Sequence, residues 1–102
     1  MAAEYRLRPR AQRDLEEIWD YTAARWSVSQ AEKYLITVLN ACAAIASQPR
    51  LGAPIDFVKP GYRRRYVGAH VVFYKATSFG VDIIRILHQS MDVAGAFGSD
   101  EA

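Results

Sequence analysis

The chain has 102 residues, 51% of them hydrophobic, 24% charged and 12% aromatic, with a formal net charge of +2. That length fits one domain, residues 1–102, large enough to bury a single core, and the composition excludes a disordered or low-complexity chain. Cys42 is the one cysteine, which excludes an intrachain disulfide and suits a cytoplasmic protein.

Charge is unevenly placed. Residues 1–48 are balanced; residues 49–90 hold seven basic and two acidic side chains, a net of +5; residues 91–102 hold only acids, a net of −3. A basic block followed by an acidic tail suits nucleic acid or an acidic protein surface as a partner. No apolar run approaches the ~20 residues of a membrane span, and the first residues lack the apolar stretch of a secretory signal.

In chain order, residues 4–8 (Glu-Tyr-Arg-Leu-Arg) alternate polar and apolar, as a short first strand does. Pro9 suits the first turn of a helix, although Arg8 is a poor cap before it. Ala11, Leu15, Ile18, Trp19, Thr22 and Trp26 then recur at three- and four-residue spacing on a helix over roughly 10–26, with Asp14, Glu16, Glu17 and Asp20 assigned to its other face. Ser29 and Glu32 fit a capping box opening a second helix, whose stripe is Ala31, Tyr34, Leu35, Val38, Cys42 and Ile45. It ends before Pro49. The short link between the helices makes them an antiparallel hairpin.

A turn-rich connector follows, with breaks at Pro49, Pro54 and Pro60-Gly61. Residues 62–67, the pair Gly68-Ala69 and residues 70–76 read as strand, tight turn, strand. After Ser78-Phe79-Gly80 comes a last strand over 81–88. Strict alternation places Asp82, Ile84, Ile86 and His88 on one face and Val81, Ile83, Arg85 and Leu87 on the other. Both faces are largely apolar, so this strand is expected at the centre of the sheet. The order β-α-α-β-β-β predicts an α+β fold: an N-terminal strand and an antiparallel helical hairpin packed on a mainly antiparallel four-stranded sheet. Residues 91–102 form a tail, the one segment expected to cover the sheet's second face.

Chemistry-bearing patterns are few. No glycine-rich phosphate loop, Gly-x-Ser-x-Gly elbow or metal-spaced Cys/His cluster is present, so no metal or cofactor is expected. The remaining signals are the arginine run Arg63-Arg64-Arg65 interleaved with Tyr62 and Tyr66, suited to phosphate contacts or a protein hot spot, and the histidines His70 and His88. Arg85 is expected to be partly buried and paired with an acid such as Asp92.

Taken together, several segments carry a family resemblance: residues 11–21 (Ala-Gln-Arg-Asp-Leu-Glu-Glu-Ile-Trp-Asp-Tyr), Gln30 to Tyr34, Pro49 to Gly52, Gly61 to Arg64, Gly68 to Tyr74, and Arg85-Ile86-Leu87-His88-Gln89-Ser90-Met91-Asp92. Over about residues 5–93 the chain resembles the RelE/ParE toxin superfamily, in its ParE-like branch. The resemblance implies a cytoplasmic growth-inhibiting toxin, part of a type II toxin–antitoxin pair, that binds DNA gyrase, traps its cleaved-DNA intermediate and is neutralised in a hetero-oligomer by a cognate ParD-like antitoxin. The candidate target contacts are Arg63, Arg64, Arg65, Arg85, His88, Met91 and Asp92; the candidate antitoxin contacts are Trp26, Tyr34, Tyr62 and Tyr66. RelE-like relatives instead cut messenger RNA on the ribosome with basic side chains and often a late tyrosine. Here no tyrosine follows Tyr74, and His70 stands where their arginine is expected. An acid/base set for that alternative would be His88, Arg85 and Lys75.

Overall fold

A computed structural model describes residues 3–91 and Val93. The elements are β1 (Glu4–Leu7), α1 (Pro9–Arg25), α2 (Val28–Ser47), a 3-10 turn (Pro49–Leu51), β2 (Ala53–Pro54), β3 (Tyr62–Val67), β4 (His70–Ala76) and β5 (Gly80–His88). The expected α+β architecture is present, with the two-residue β2 added at one edge: the sheet order is β1-β5-β4-β3-β2. β1 runs parallel to β5 and the other pairings are antiparallel. β5 is an interior strand between β1 and β4, consistent with its two apolar faces, while β4 is the middle strand of the five.

Both helix starts follow from local chemistry. Pro9 is the first helical residue of α1, and Arg8 caps it with backbone alone. α2 begins two residues earlier than the sequence pattern suggested. Ser27, not Ser29, is extended and accepts the Gln30 N–H at 3.0 Å. Ser27 and Gln30 are themselves spaced as a capping box, so both frames were legible and the earlier one forms.

The helical hairpin packs on one sheet face. Ala11, Leu15 and Ile18 of α1 and Val38, Cys42 and Ile45 of α2 are buried there against Val72, Tyr74, Val81, Ile83 and Ile86. Burial pushes the Cys42 thiol up to about 12, so it stays protonated as a core group. The opposite face carries a second core of Tyr62, Val71, Phe73, Ile84 and Leu87, covered by Ile55 and Val58 from the segment between β2 and β3, and by Val93. Cover for that face was expected from the tail alone; the β2–β3 segment supplies much of it. Asp92 and residues 94–102 lie outside the described residues.

The strict alternation expected along β5 is broken. Phe73 pairs with Arg85 but Tyr74 pairs with Ile83, which leaves Ile84 without an opposite residue. This β-bulge moves Ile84 onto the outer face with Leu87 while Ile83 and Ile86 both face the helices. Arg85 therefore does not share a face with both Ile83 and Leu87. β3 is likewise not adjacent to β5, because β4 lies between them.

Two glycines are dictated by geometry. Gly68 (φ 57°) occupies the first position of the two-residue turn joining β3 to β4, where a II′ hairpin loop needs glycine. Gly80 (φ 148°) starts β5, and a side chain there would strike the backbone of Glu4.

Candidate functional site

β1 pairs with β5 only as far as Ile83, because Pro9 turns the chain into α1. β5 runs on to His88. Between this overhang and the helical hairpin lies a groove of about 710 Å³. It is the site that the fold, rather than any motif, creates.

One side of the groove is aromatic. Tyr21 and Trp26 line it from the end of α1 and the interhelical link, and both are about two-thirds exposed, at 68% and 67%. Exposed large aromatics clustered in a concave surface mark a docking site. Tyr34 of α2 lines it too, held in place by its hydroxyl. That group accepts the Ala69 N–H at 3.1 Å, donates to the Val67 carbonyl at 3.2 Å and lies 2.6 Å from Nδ1 of His70. It thereby pins the β3–β4 turn to the helix. Burial raises the Tyr34 pKa, so the hydroxyl keeps its proton.

The strand side is charged and ordered. Asp14 is buried, and its carboxylate accepts Nε and Nη2 of Arg85 at 2.8 and 3.0 Å and the Ile86 N–H at 2.9 Å. The carboxylate thus satisfies a β5 backbone donor that β1 stops too early to reach. The charge of Asp14 suggests the solvent face of α1, yet Asp14 is an acid that Arg85 holds; Asp92, the acid expected beside Arg85, lies outside the described residues. The signal was present, since Asp14 lies three residues after Ala11 and four before Ile18, within the buried stripe. Tyr21, three residues after Ile18, was missed in the same way.

At the other rim His70 and His88 are direct cross-strand partners, with ring centroids 5.5 Å apart and edge to face. Nδ1 of His88 accepts the Ser90 N–H at 3.2 Å and is 2.7 Å from its hydroxyl. Burial first, then the neighbouring His88, lowers the His70 pKa, against a smaller opposing pull from Asp14. The imidazole is thus neutral at pH 7.

The groove gathers only part of each predicted set. Of the candidate antitoxin contacts, Trp26 and Tyr34 line it; Tyr62 is buried in the outer core and Tyr66 belongs to the opposite face of β3. Arg85, His88 and Met91, predicted to meet the target, line the groove instead. Arg63 and Arg65 bond the connector carbonyls of Gly52 and Leu51, at 2.6 and 3.5 Å. Lys75 pairs across strands with Asp82, whereas His88 pairs with His70 at the far end of β4, so His88, Arg85 and Lys75 are not brought together. Among the described residues no group of three or more His, Cys, Asp or Glu side chains is placed to hold a metal ion, and no helix is long and apolar enough to cross a membrane.

The family model described as "ParE toxin of type II toxin-antitoxin system, parDE" matches residues 5–93. A protein named Toxin ParE1 from Mycobacterium tuberculosis is 48% identical over 94 residues, covering 91% of this chain and 96% of the relative. A Toxin ParE1 from Caulobacter vibrioides is 44% identical over 94 residues, covering 92% and 97%. A solved structure titled "Chromosomal ParDE TA system from P. aeruginosa" superposes with a TM-score of 0.73 at 17% identity, over 85% of this chain and 96% of that one.

Proposed function

Because this chain belongs to the ParE toxin family of type II toxin–antitoxin systems, we propose that it halts growth by binding DNA gyrase and is neutralised by a cognate ParD-like antitoxin seated in the groove between the helical hairpin and the end of β5. The observation that carries the antitoxin half is the groove itself. It joins the exposed aromatics Tyr21 and Trp26 to an already satisfied polar pair, Asp14–Arg85. An amphipathic helix fits such a surface: its apolar face covers the aromatics, and no charge in the groove floor is left unpaired by the contact.

The gyrase half is supported by family membership and by the separation, among the described residues, of Lys75 from His88 in the set His88, Arg85 and Lys75. A ribonuclease of the RelE type needs an acid/base pair positioned on one substrate. Arg85 is held by Asp14, Lys75 faces Asp82, and His88 stands at the opposite end of the sheet from Lys75. A toxin that acts by binding needs no such set.

The test is a plasmid supercoiling assay with purified gyrase, run with free toxin and with the toxin–antitoxin complex. Free toxin should block supercoiling and accumulate linear, protein-linked plasmid, and the complex should do neither. Full supercoiling in the presence of excess free toxin, with ribosome-bound messenger RNA cut in a parallel reaction, would replace this reading with the nuclease one.

A further inference from the structure

The sheet face opposite the groove carries an arginine that nothing else in the structure explains. On β3, Tyr62, Arg64 and Tyr66 lie opposite Lys75, Phe73 and Val71, and Tyr62, Phe73 and Val71 belong to the outer core. Arg64 therefore shares that face, whereas Arg63 and Arg65 pair with Tyr74 and Val72 of the helix-side register.

The arginines have different surroundings. Arg63 and Arg65 donate to connector carbonyls, Arg85 is held by Asp14, Arg8 bonds Asp82 at 3.5 Å, and Arg6 stacks on Phe79 at 3.8 Å. Arg64 has no hydrogen-bond or carboxylate partner among the described residues. Its Nε is buried without one, and its guanidinium lies 5.5 Å over the ring of Tyr66, itself 56% exposed. A desolvated donor left unmade opposes folding, so its retention calls for a use. Phe57, 83% exposed, sits in the segment that covers this same face.

We propose that Arg64 and Tyr66 form the centre of the target-contacting surface, and that they receive an acidic segment of a protein: a carboxylate on the Arg64 guanidinium with an apolar side chain against Tyr66. This deepens the gyrase-binding reading and rests on it. Arginine and tyrosine are the residues that dominate protein interfaces when set in an apolar surround, and a guanidinium with free terminal donors matches a carboxylate in two-point geometry. A nucleic-acid backbone fits less well. It takes a row of cations, whereas on this face Lys75 lies opposite Asp82 and Arg8 bonds that same carboxylate. The surface is back to back with the groove, so Arg64 variants should leave antitoxin binding intact.

The test measures gyrase binding by Arg64→Gln, Arg64→Lys and Tyr66→Ala toxins, each released from its antitoxin complex, with melting temperature and antitoxin affinity determined alongside. Arg64→Gln and Tyr66→Ala should each weaken gyrase binding by about 30-fold, at unchanged antitoxin affinity and a melting temperature no lower than that of the wild type. Arg64→Lys should recover little, since an ammonium cannot make the two-point contact. Equal gyrase inhibition by wild type and Arg64→Gln would overturn this inference alone. A wild-type toxin with no effect on gyrase would overturn the parent reading and this one with it. Binding of duplex DNA alone, lost in Arg64→Gln, would overturn the acidic protein partner.

Discussion

Replacing Asp14 by alanine removes three hydrogen bonds that its carboxylate accepts: those donated by Nε and Nη2 of Arg85 and by the backbone N–H of Ile86. The Arg85 and Asp14 side chains are only 12% and 9% exposed, so water does not replace what is lost. Breaking such a pair by deleting one partner costs about 3–5 kcal/mol. For a domain of this size each kcal/mol is worth about 4–8 °C, so thermal unfolding of Asp14→Ala should fall by roughly 12 °C or more. Arg85→Ala should lower stability comparably, because it strands the carboxylate. Asp14→Asn combined with Arg85→Met should recover most of the loss: the amide oxygen still accepts the Ile86 N–H, and no charge is left buried. The assay is a calorimetric melt of the wild type and the three variants. A drop below about 4 °C for both single variants would place the pair with solvent-exposed salt bridges, worth about 0–1 kcal/mol, and would refute its role as the fastening between α1 and the open end of β5.

Tyr34→Phe should destabilise by about 0.5–1.5 kcal/mol in a denaturant melt, because it removes the hydroxyl that bonds the Ala69 N–H and the Val67 carbonyl at the β3–β4 turn. Trp26→Ala should weaken antitoxin binding by about 2 kcal/mol or more in calorimetric titration, with little change in melting temperature, since the ring is 67% exposed in the free toxin. His70 has its pKa lowered in the fold, first by burial and then by His88. Below the unfolded value of about 6.5 the unfolded chain binds the proton more readily, so stability should decline as pH falls from there toward the folded value; in denaturant melts across this range His70→Gln should flatten that decline. Gly80→Ala should strongly destabilise, because its φ of 148° and the adjoining Glu4 backbone leave no place for a Cβ.

Much of the fold was legible because its signals are local. The stripe Ala31, Val38, Cys42 and Ile45 is buried as its spacing requires, Pro9 and Pro49 mark helix boundaries, and Gly68-Ala69 is the turn its residues dictate. What was not legible depends on partners distant in sequence. The bulge at Ile84 arises from how β4 and β5 register, and strict alternation has no way to signal it. The two-residue β2 exists only because the chain after Pro49 is drawn back to the sheet, where the buried Tyr74 hydroxyl donates to the Pro49 carbonyl at 2.7 Å and accepts the Gly52 N–H at 2.8 Å. The groove escaped for the same reason. It depends on β1 ending five residues before β5 does, and on an aspartate whose charge suggested solvent while its position in the α1 stripe pointed inward.

The proposed mechanism is most directly tested by inducing the toxin without antitoxin in living cells and following chromosome integrity and protein synthesis in the same culture. A gyrase-binding toxin should produce double-strand breaks and filamentous cells while pulse-labelled translation continues, and His88→Ala should remain toxic. Rapid loss of messenger RNA with intact chromosomes, abolished by His88→Ala at unchanged melting temperature, would contradict it.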